Sequence, residues 1–419
     1  MQQGALRGEA LEFPKDFLWG TATAAHQVEG GNTASDLWLM EMAPDSFFAE
    51  PSGDACDHYH LYPHDLALLK GLGFGAYRFS VEWARIEPEE GFYSHAALDH
   101  YRRMIAACRA LDIVPIVTFH HFTAPLWFTR DGGWTHPKSA DRFARYCEKA
   151  GRALGDLMAF ACTINEANIP LMISGWRVAN EGGWETPQRF AEIARRCGGD
   201  PARWAPYLIC DGYGATPNLI AAHRKAYEAL KSAGLACPIG ITLALHDLQA
   251  QPGGEMLRDA AEQLIEGQFL ESVRGDDFVG VQTYTRIRFG PKGHVPPAAD
   301  TERTQMGYEF YPEALEATVR KAARISGCPV LVTENGIGIE DDTRRIAYAK
   351  RALEGLHAAI VDGVDIRGYI HWSLLDNYEW LEGYRPKFGL VAVDRTTQAR
   401  KPKPSAYWLG AIAKNNALG

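Results

Sequence analysis

Short apolar runs rich in β-branched and aromatic residues alternate along the chain with longer stretches whose apolar residues recur at helical spacing. Runs of the first kind predict buried strands, and the stretches between them predict amphipathic helices that cover a sheet. Several helical stretches end in glycine, which is typical of a helix C-terminus. Eight strand-like runs occur: FLWGTAT from Phe17, FGAYRFS from Phe74, IVPIVTFHH from Ile113, AFACTINE from Ala159, CPIGITLAL from Cys237, DDFVGVQTY from Asp276, CPVLVTENG from Cys328 and IRGYIHWSLLD from Ile366.

A β/α alternation repeated eight times predicts a (β/α)8 TIM barrel, an α/β fold whose functional sites lie at the C-terminal ends of the strands. An open doubly wound sheet is the alternative, but no glycine-rich phosphate-binding sequence follows the first strand. Two strand-to-helix connections, residues 169–214 and 286–307, exceed the ordinary connection length. We expect them to be long loops that wall a pocket at the C-terminal face.

Length and composition fit one large catalytic domain. The 419 residues are 46% hydrophobic, enough to bury a large core, and no internal stretch has the composition of a linker, so we expect a single domain over residues 1–419. Lys and Arg total 43 against 52 Asp and Glu, a net charge of −9. This balance does not predict a nucleic-acid or membrane partner, and it fits a small neutral substrate better.

The cysteines and the N-terminal residues predict a reducing location. The eight cysteines form no C-x-x-C pair and several lie in apolar runs, so we expect buried, reduced thiols. The N-terminal segment contains Arg7, Glu9 and Glu12 but no apolar core of signal-peptide length. No later stretch reaches membrane-spanning length. We therefore expect a soluble, cytoplasmic protein.

Two glutamates follow strand-like runs directly, Glu166 in TINEAN and Glu334 in VLVTENG. Cleavage of a glycosidic bond requires two carboxyl groups, and two separate strand ends can place them. One gives a proton to the leaving oxygen, and the other attacks or screens the anomeric carbon. Either glutamate alone could equally cap a helix or pair with a surface arginine. The presence of both at strand ends favours catalysis.

Histidines offer a competing interpretation as a metal site, because His120 and His121 are adjacent and His58, His60 and His64 are close in sequence. Successive strand residues point to opposite faces, so His120 and His121 cannot easily share one ion. No cysteine or second carboxylate cluster joins the other three. We expect no metal and no cofactor. His120 is predicted to face the helical layer, and His58 and His60 to pack or cap near a helix.

Five longer motifs follow one another in order: FLWGTATAAHQVEG at Phe17, AYRFSVEWARIEP at Ala76, TINEA at Thr163, VTENG at Val332 and HWSLLDNYEWLEGYRPKFGL at His371. Together they resemble the motifs of the family 1 glycoside hydrolases, the retaining β-glucosidase and β-galactosidase group. The resemblance covers nearly the whole chain. One motif alone would be a weak signal, whereas five at consistent barrel positions are specific.

The resemblance implies a retaining mechanism with Glu166 on strand four as acid/base and Glu334 on strand seven as nucleophile. Glu166 has to be protonated when substrate arrives, so we expect apolar walls and the charge of Glu334 to raise its pKa. Arg78 and Tyr284 match the residues that hold the nucleophile. Both are expected to lower the basicity of Glu334, so that it stays ionised.

The resemblance also implies which residues bind the non-reducing sugar. Trp372 would stack on the ring; lone tryptophans more often pack in a core, but its place in HWSLLDNYEW favours the sugar site. Asn165 would bind the 2-hydroxyl, and a carboxylate at Glu379, aimed at the 4- and 6-hydroxyls, would repel a 6-phosphate. The implied hydrogen-bonding set is Gln27, His121, Asn165, Glu379 and Trp380.

The chain departs from the family pattern at several positions near the expected pocket. Ala167 follows Glu166 where the family has proline, and Gln282 replaces an asparagine that helps to hold the nucleophile. Phe122 stands where an indole donor is usual, and residues 177–211 look unlike the usual loop. We expect activity to survive these changes, while glycone and above all aglycone preference differ.

The predicted function is therefore that of a retaining exo-β-glycosidase that hydrolyses glucosides, galactosides or fucosides by double displacement. A non-catalytic sugar-binding barrel is the alternative from another class, since the strand-three and strand-six motifs are altered. Retention of both glutamates together with Arg78 and Tyr284 argues for the enzyme. Transglycosylation is a rival within the enzyme class, because it differs only in the acceptor. The natural aglycone, the linkage and the oligomeric state are left open.

Overall fold

Eight parallel strands close into a barrel in which each strand pairs with its neighbours in the chain and the last pairs with the first. The structure, a computed structural model, describes residues 10–44, 46–179 and 187–419. Each strand lies inside one of the eight predicted runs, so the (β/α)8 prediction is confirmed. The strands are β1 (Leu18–Ala22), β2 (Ala76–Ser80), β3 (Val114–His120), β4 (Phe160–Ile164), β5 (Ile239–Ala244), β6 (Phe278–Gln282), β7 (Val330–Asn335) and β8 (Ile366–Trp372).

Helices cover the outside of the barrel and decorate its C-terminal face. The α-helices are α1 (Ala25–Val28), α2 (Asp36–Glu41), α3 (His58–Leu72), α4 (Trp83–Ile86), α5 (His95–Ala110), α6 (Leu126–Arg130), α7 (Ser139–Leu154), α8 (Ile169–Ala179), α9 (Pro187–Arg196), α10 (Gly212–Ser232), α11 (Glu255–Glu262), α12 (Gln268–Ser272), α13 (Ala314–Ser326), α14 (Asp342–Val361) and α15 (Pro404–Asn415). A π-helical turn, Gln263–Gly267, joins α11 to α12, and 3-10 turns span Gly133–Thr135, Tyr207–Ile209 and Trp380–Glu382.

Local sequence explains where the longer helices begin and end. The side chains of Ser94 and Asp341 accept hydrogen bonds from the first-turn N–H groups of α5 and α14. Gly73 and Gly327, which follow α3 and α13, have φ values of 115° and 70°. A side chain rarely adopts such a conformation, so glycine at these positions ends the helix as predicted.

Apolar side chains fill both sides of the barrel wall. Small and branched residues such as Ala22, Ala76 and Ile370 pack inside the barrel, and a larger core lies between the strands and the helices. This two-sided burial explains why the strands are continuous apolar runs. At Gly20 a Cβ atom would lie 2.4 Å from the carbonyl oxygen of Ala76, so the close approach of β1 and β2 requires glycine.

The two long connections contribute residues to a pocket, as predicted, but they contain regular structure and are not loops throughout. Residues 169–214 include α8, α9 and the turn Tyr207–Ile209, although residues 180–186 lie outside the described part. Residues 286–307 form the strands Arg286–Gly290 and Gly293–Val295, which join Asp247–Ala250 in a three-stranded sheet. Two further pairs join Leu11–Glu12 to Ala417–Leu418 and Val391–Val393 to Arg400–Pro402.

Two predictions about side chains hold. All eight cysteines are unpaired and buried. His58, the first residue of α3, is buried between Asp65 and Tyr77, and His60 hydrogen-bonds Asp57 at the start of the same helix. Within the described ranges, no helix combines the length and the apolar character needed to cross a membrane.

Candidate active site

A cavity of about 410 Å³ opens at the C-terminal ends of the strands. Seven of the ten predicted site residues line it: His121, Glu166, Tyr284, Glu334, Trp372, Glu379 and Trp380. The other three, Gln27, Arg78 and Asn165, are at most 1% exposed, and their side chains hydrogen-bond to residues of the cavity wall. The barrel topology thus gathers the predicted residues at one place.

Three donors hold the carboxylate of Glu334, which lies near the end of β7. Arg78 Nη1 donates to Glu334 Oε1 over 2.6 Å, and the Tyr284 hydroxyl donates to Oε2 over 2.5 Å. The third donor is Gln282 Nε2, 2.8 Å from Oε1. Since all three groups donate, they favour the ionised form of Glu334 and fix its direction.

Gln282 is a site residue that sequence reasoning noted only as a departure from the family pattern. It ends β6 and pairs directly with Glu334 across the β6–β7 ladder. Its amide also donates to Asn165 Oδ1 over 2.8 Å. The longer side chain therefore supports both the nucleophile and its neighbour. The position of Gln282 opposite Glu334 in adjacent strands was the signal that could have revealed this.

The hydrogen bonds around Asn165 determine the tautomer of His121. Arg78 and Gln282 can only donate through their nitrogens, so Asn165 Oδ1 accepts from both, over 2.5 and 2.8 Å. The Asn165 amide nitrogen then faces His121 Nε2 at 3.2 Å and donates to it. Burial, followed by the charge of Arg78, lowers the pKa of His121 well below its ordinary value. His121 is therefore neutral and carries its proton on Nδ1.

The backbone of Glu166 adopts a left-handed conformation with φ of 46°, which is uncommon for a residue other than glycine. The hydroxyl of Tyr207 donates to the carbonyl of Glu166 over 2.9 Å. Thr242 Oγ1 on β5 accepts from the Glu166 N–H over 3.3 Å. These two contacts hold the turn in which Ala167 replaces the usual proline. No local pattern points to Tyr207, which lies 41 residues further along the chain.

The two glutamates differ in protonation because their surroundings differ. Burial raises the pKa of Glu166 well above its ordinary value, and repulsion by Glu334 raises it further. Burial also raises the pKa of Glu334, whereas Arg78 and the Tyr284 hydrogen bond lower it. The expected lowering by Arg78 and Tyr284 is thus present but smaller than the effect of burial. The pair as a whole holds a proton on Glu166 and a negative charge on Glu334.

Glu379 requires a correction. We had expected a carboxylate, but burial, with repulsion by Glu334, raises its pKa to about 8. The hydrogen bond from Gln27, at 3.4 Å, offsets only part of that effect. A pKa of about 8 favours the protonated form of Glu379 at neutral pH, which weakens charge repulsion as an explanation for exclusion of a 6-phosphate.

Aromatic rings stand side by side along one wall of the cavity. The rings of Trp372 and Trp380 lie nearly parallel to the ring of His121, at interplanar angles of 22° and 20° and centroid distances of 5.8 and 6.0 Å. Trp380 is also parallel to His26, at 4° and 5.8 Å. This arrangement gives a binding site flat apolar faces beside polar edges.

His120 points away from the cavity, as predicted. It is buried among aromatic residues of the outer layer, with ring centroids of Trp134 and Phe143 at 5.0 and 6.2 Å. Burial lowers its pKa to about 3. In the described ranges no group of three or more His, Cys, Asp or Glu residues could hold a metal ion.

Comparison with protein families gives a match over nearly the whole chain. The profile described as "Glycosyl hydrolase family 1" matches residues 9–279 and 281–418. Beta-glucosidase A of Acetivibrio thermocellus is 30% identical over 97% of this chain and 99% of that protein. A beta-glucosidase of Agrobacterium sp. is 32% identical over 98% of this chain and 97% of its own.

Solved structures agree. The crystal structure of a beta-glycosidase named BGL167 superposes with a TM-score of 0.91 at 51% identity, covering 97% of this chain and 98% of that one. A beta-glucosidase from Thermotoga maritima, solved in complex with deoxynojirimycin, superposes with a TM-score of 0.83 at 29% identity, covering 97% of this chain and all of that one (100%).

Proposed function

Because the chain belongs to glycosyl hydrolase family 1, we propose that Glu166 and Glu334 cleave a β-glycoside by double displacement with retention of configuration. The protein is a glycoside hydrolase of the β-glucosidase type that acts on O-glycosidic bonds. The observation that carries the proposal is the unequal pair of acids in one cavity: three donors hold the carboxylate of Glu334, whereas burial and repulsion by Glu334 raise the pKa of Glu166.

In the first step Glu334 attacks the anomeric carbon while Glu166 gives its proton to the leaving oxygen. The three donors around Glu334 restrain it in one direction, so little reorganisation is needed at the moment of attack. The raised pKa of Glu166 keeps the acid protonated near neutral pH. The products of this step are the free aglycone and a glycosyl ester of Glu334.

In the second step water attacks the glycosyl ester, and Glu166, now ionised, takes its proton. Glycosylation removes the negative charge of Glu334 and with it the repulsion that had raised the pKa of Glu166. The pKa of Glu166 therefore falls, which suits a residue that has to switch from acid to base.

Unsatisfied polar atoms near the two acids support binding of a sugar. Gln27 Oε1, Gln282 Oε1 and His121 Nδ1 are buried and have no hydrogen-bond partner within the described ranges. A buried polar atom without a partner is costly, so these atoms suit a ligand with many hydroxyl groups. The barrel below the cavity is filled by side chains, which supports exo action at a chain end. The contact of Asn165 with a 2-hydroxyl stays a prediction.

The family supports an enzyme over the non-catalytic barrel, and a panel of nitrophenyl β-glycosides tests the choice directly. We expect release of nitrophenol, with proton NMR of the first sugar product showing the β-anomer. Turnover of no β-glycoside by folded protein that still binds sugar would favour the non-catalytic alternative, and a first-formed α-anomer would refute retention. Adding an alcohol acceptor to the same reaction measures the share of transglycosylation.

We also propose that residues 1–419 form a single domain in the cytoplasm. The barrel strands are drawn from most of the chain, and the strand Leu11–Glu12 pairs with Ala417–Leu418 near the other end. Eight buried, unpaired cysteines are typical of a reducing compartment.

A further inference from the structure

The short helix α1 supports the segment after β8 that forms part of the cavity wall. Gln27 Nε2 on α1 donates to the carbonyl of Tyr378 over 2.7 Å and to Glu379 Oε2 over 3.4 Å. The preceding residue, His26, lies with its ring parallel to the indole of Trp380, at an interplanar angle of 4° and 5.8 Å between centroids. Two adjacent residues of α1 therefore contact two adjacent residues of the predicted sugar site.

His26 belongs to a buried ion pair. Its Nε2 lies 2.7 Å from Glu41 Oε1, and both side chains are fully buried. The other carboxylate oxygen of Glu41 accepts from the N–H and the hydroxyl of Ser52, over 2.9 and 2.6 Å. Donors on both oxygens favour the ionised form of Glu41, and this carboxylate in turn favours a positive charge on His26.

The surroundings of His26 favour its imidazolium form. Burial lowers the pKa of His26, but the charge of Glu41 and the hydrogen bond to it raise that pKa, and the net shift is upward. Glu82 and Asp36 act in the same direction as Glu41. An imidazolium also donates from Nδ1. The Asn32 amide, 3.0 Å from Nδ1, accepts this proton when it is turned by 180°, which gives a donor to an Oδ1 otherwise without a partner in the described ranges.

Packing has to hold Trp380 in place, because its backbone adopts a left-handed conformation with φ of 49°, which is uncommon for a bulky residue. The indole lies against the rings of His26 and His121. His121 is neutral, so of these two rings His26 carries the charge. A cation within about 6 Å of an indole centroid is attracted to the ring and polarises it, which makes the indole N–H a stronger hydrogen-bond donor.

We propose that His26 is a positioning residue for Trp380: its imidazolium, paired with Glu41, holds the indole and strengthens the indole N–H as a donor to a sugar hydroxyl. The inference rests on the proposed function and on the predicted contact of Trp380 with the non-reducing sugar. Trp380 lines the cavity and His26 does not, so the ion pair acts on the sugar through the indole.

A double-mutant cycle tests the proposal, with kcat/KM for a nitrophenyl β-glucoside as the readout. His26→Phe/Glu41→Gln keeps a ring beside the indole and an acceptor for Ser52 while removing both charges. We expect this change to lower kcat/KM by about threefold to 30-fold in the wild-type background. In the Trp380→Phe background, which lacks the indole N–H, we expect a loss of less than about twofold. Equal factors in the two backgrounds, or no loss in the wild-type background, would overturn the proposal.

His58 provides a matched control, because it is also a buried histidine paired with a carboxylate, Asp65 at 2.8 Å, and it does not line the cavity. Arg400 keeps Asp65 paired when His58 is replaced. We expect His58→Phe to change kcat/KM by the same factor in the wild-type and Trp380→Phe backgrounds. A dependence on the background as large as that of the His26 variant would count against the proposal.

Nitrogen NMR of the unaltered protein, labelled at its histidines, gives a measurement that does not depend on a variant folding. His26, His120 and His121 each contact an indole ring. At a pH where exposed histidines are half titrated, we expect His26 to hold protons on both ring nitrogens and the other two to be neutral. If no histidine in contact with an indole is doubly protonated there, the proposal fails. Failure to hydrolyse any β-glycoside would instead refute the proposed function, and the histidine titration would still test the ion pair.

Discussion

Replacing Arg78 by methionine removes the positive charge that faces Glu334 at hydrogen-bond distance while keeping most of the buried side-chain volume. Arg78 is 1% exposed, and its two terminal nitrogens bind Glu334 Oε1 at 2.6 Å and Asn165 Oδ1 at 2.5 Å. Without the cation, burial and the remaining donors alone set the pKa of Glu334. We expect that pKa to rise.

The size of the effect follows from the geometry. Two unit charges about 4 Å apart interact by about 4 kcal/mol at an effective dielectric constant of about 20, which corresponds to a change of about 3 in pKa. Gln282 and Tyr284 continue to donate to Glu334 and soften the loss, so we expect its pKa to rise by about 1 to 3. Arg78 also lowers the pKa of Glu166, which therefore rises in the same variant. The rate near neutral pH should fall by about 100-fold or more.

The assay is the pH dependence of kcat/KM with a nitrophenyl β-glycoside. Activity needs ionised Glu334 and protonated Glu166, so raising both pKa values moves both limbs of the bell to higher pH. Arg78→Lys is the matched control: it keeps the charge but not the two-pronged contact, so its rate should fall while its limbs stay near those of the wild type. If folded Arg78→Met keeps the wild-type acidic limb, the account of Glu334 given above is wrong.

Three further predictions concern the surroundings of the two acids. Glu166→Gln should lose the basic limb of the pH profile, because wild-type activity falls as the pH rises through the raised pKa of Glu166 and glutamine has no proton to lose. A basic limb left unchanged would contradict the assignment of Glu166 as the acid. Gln282→Met should lower kcat/KM by about 10-fold to 100-fold, since it removes the amide that donates to Glu334 and Asn165; activity at the wild-type level would show that this amide does not hold the nucleophile. Tyr207→Phe should lower kcat by about tenfold for alkyl glycosides and less for nitrophenyl glycosides. The Tyr207 hydroxyl holds the turn of Glu166, and a poor leaving group depends most on the proton that Glu166 gives. Equal losses for both classes would point to a general structural role.

The alternation of strand and helix patterns was sufficient to predict the barrel. Each β-run is buried on both faces, and the two-sided burial makes the runs continuous and easy to recognise. The strand-end glutamates followed from the same pattern, because a parallel barrel brings the ends of all its strands together. The structure of the long connections was harder to predict. α8 and the sheet formed by Asp247–Ala250 and Arg286–Gly290 depend on packing at the rim, which the local sequence does not specify.

Strand periodicity and motif spacing are properties of the chain alone, so they were enough to predict the barrel and to place Glu166 and Glu334 at strand ends. The contacts that hold the two acids depend on three-dimensional packing. Gln282 and Tyr207 act through partners 52 and 41 residues away, and a hydrogen bond between such distant residues leaves no local pattern. The pKa of Glu379 also depends on the tertiary structure, since burial and repulsion by Glu334 raise it to about 8.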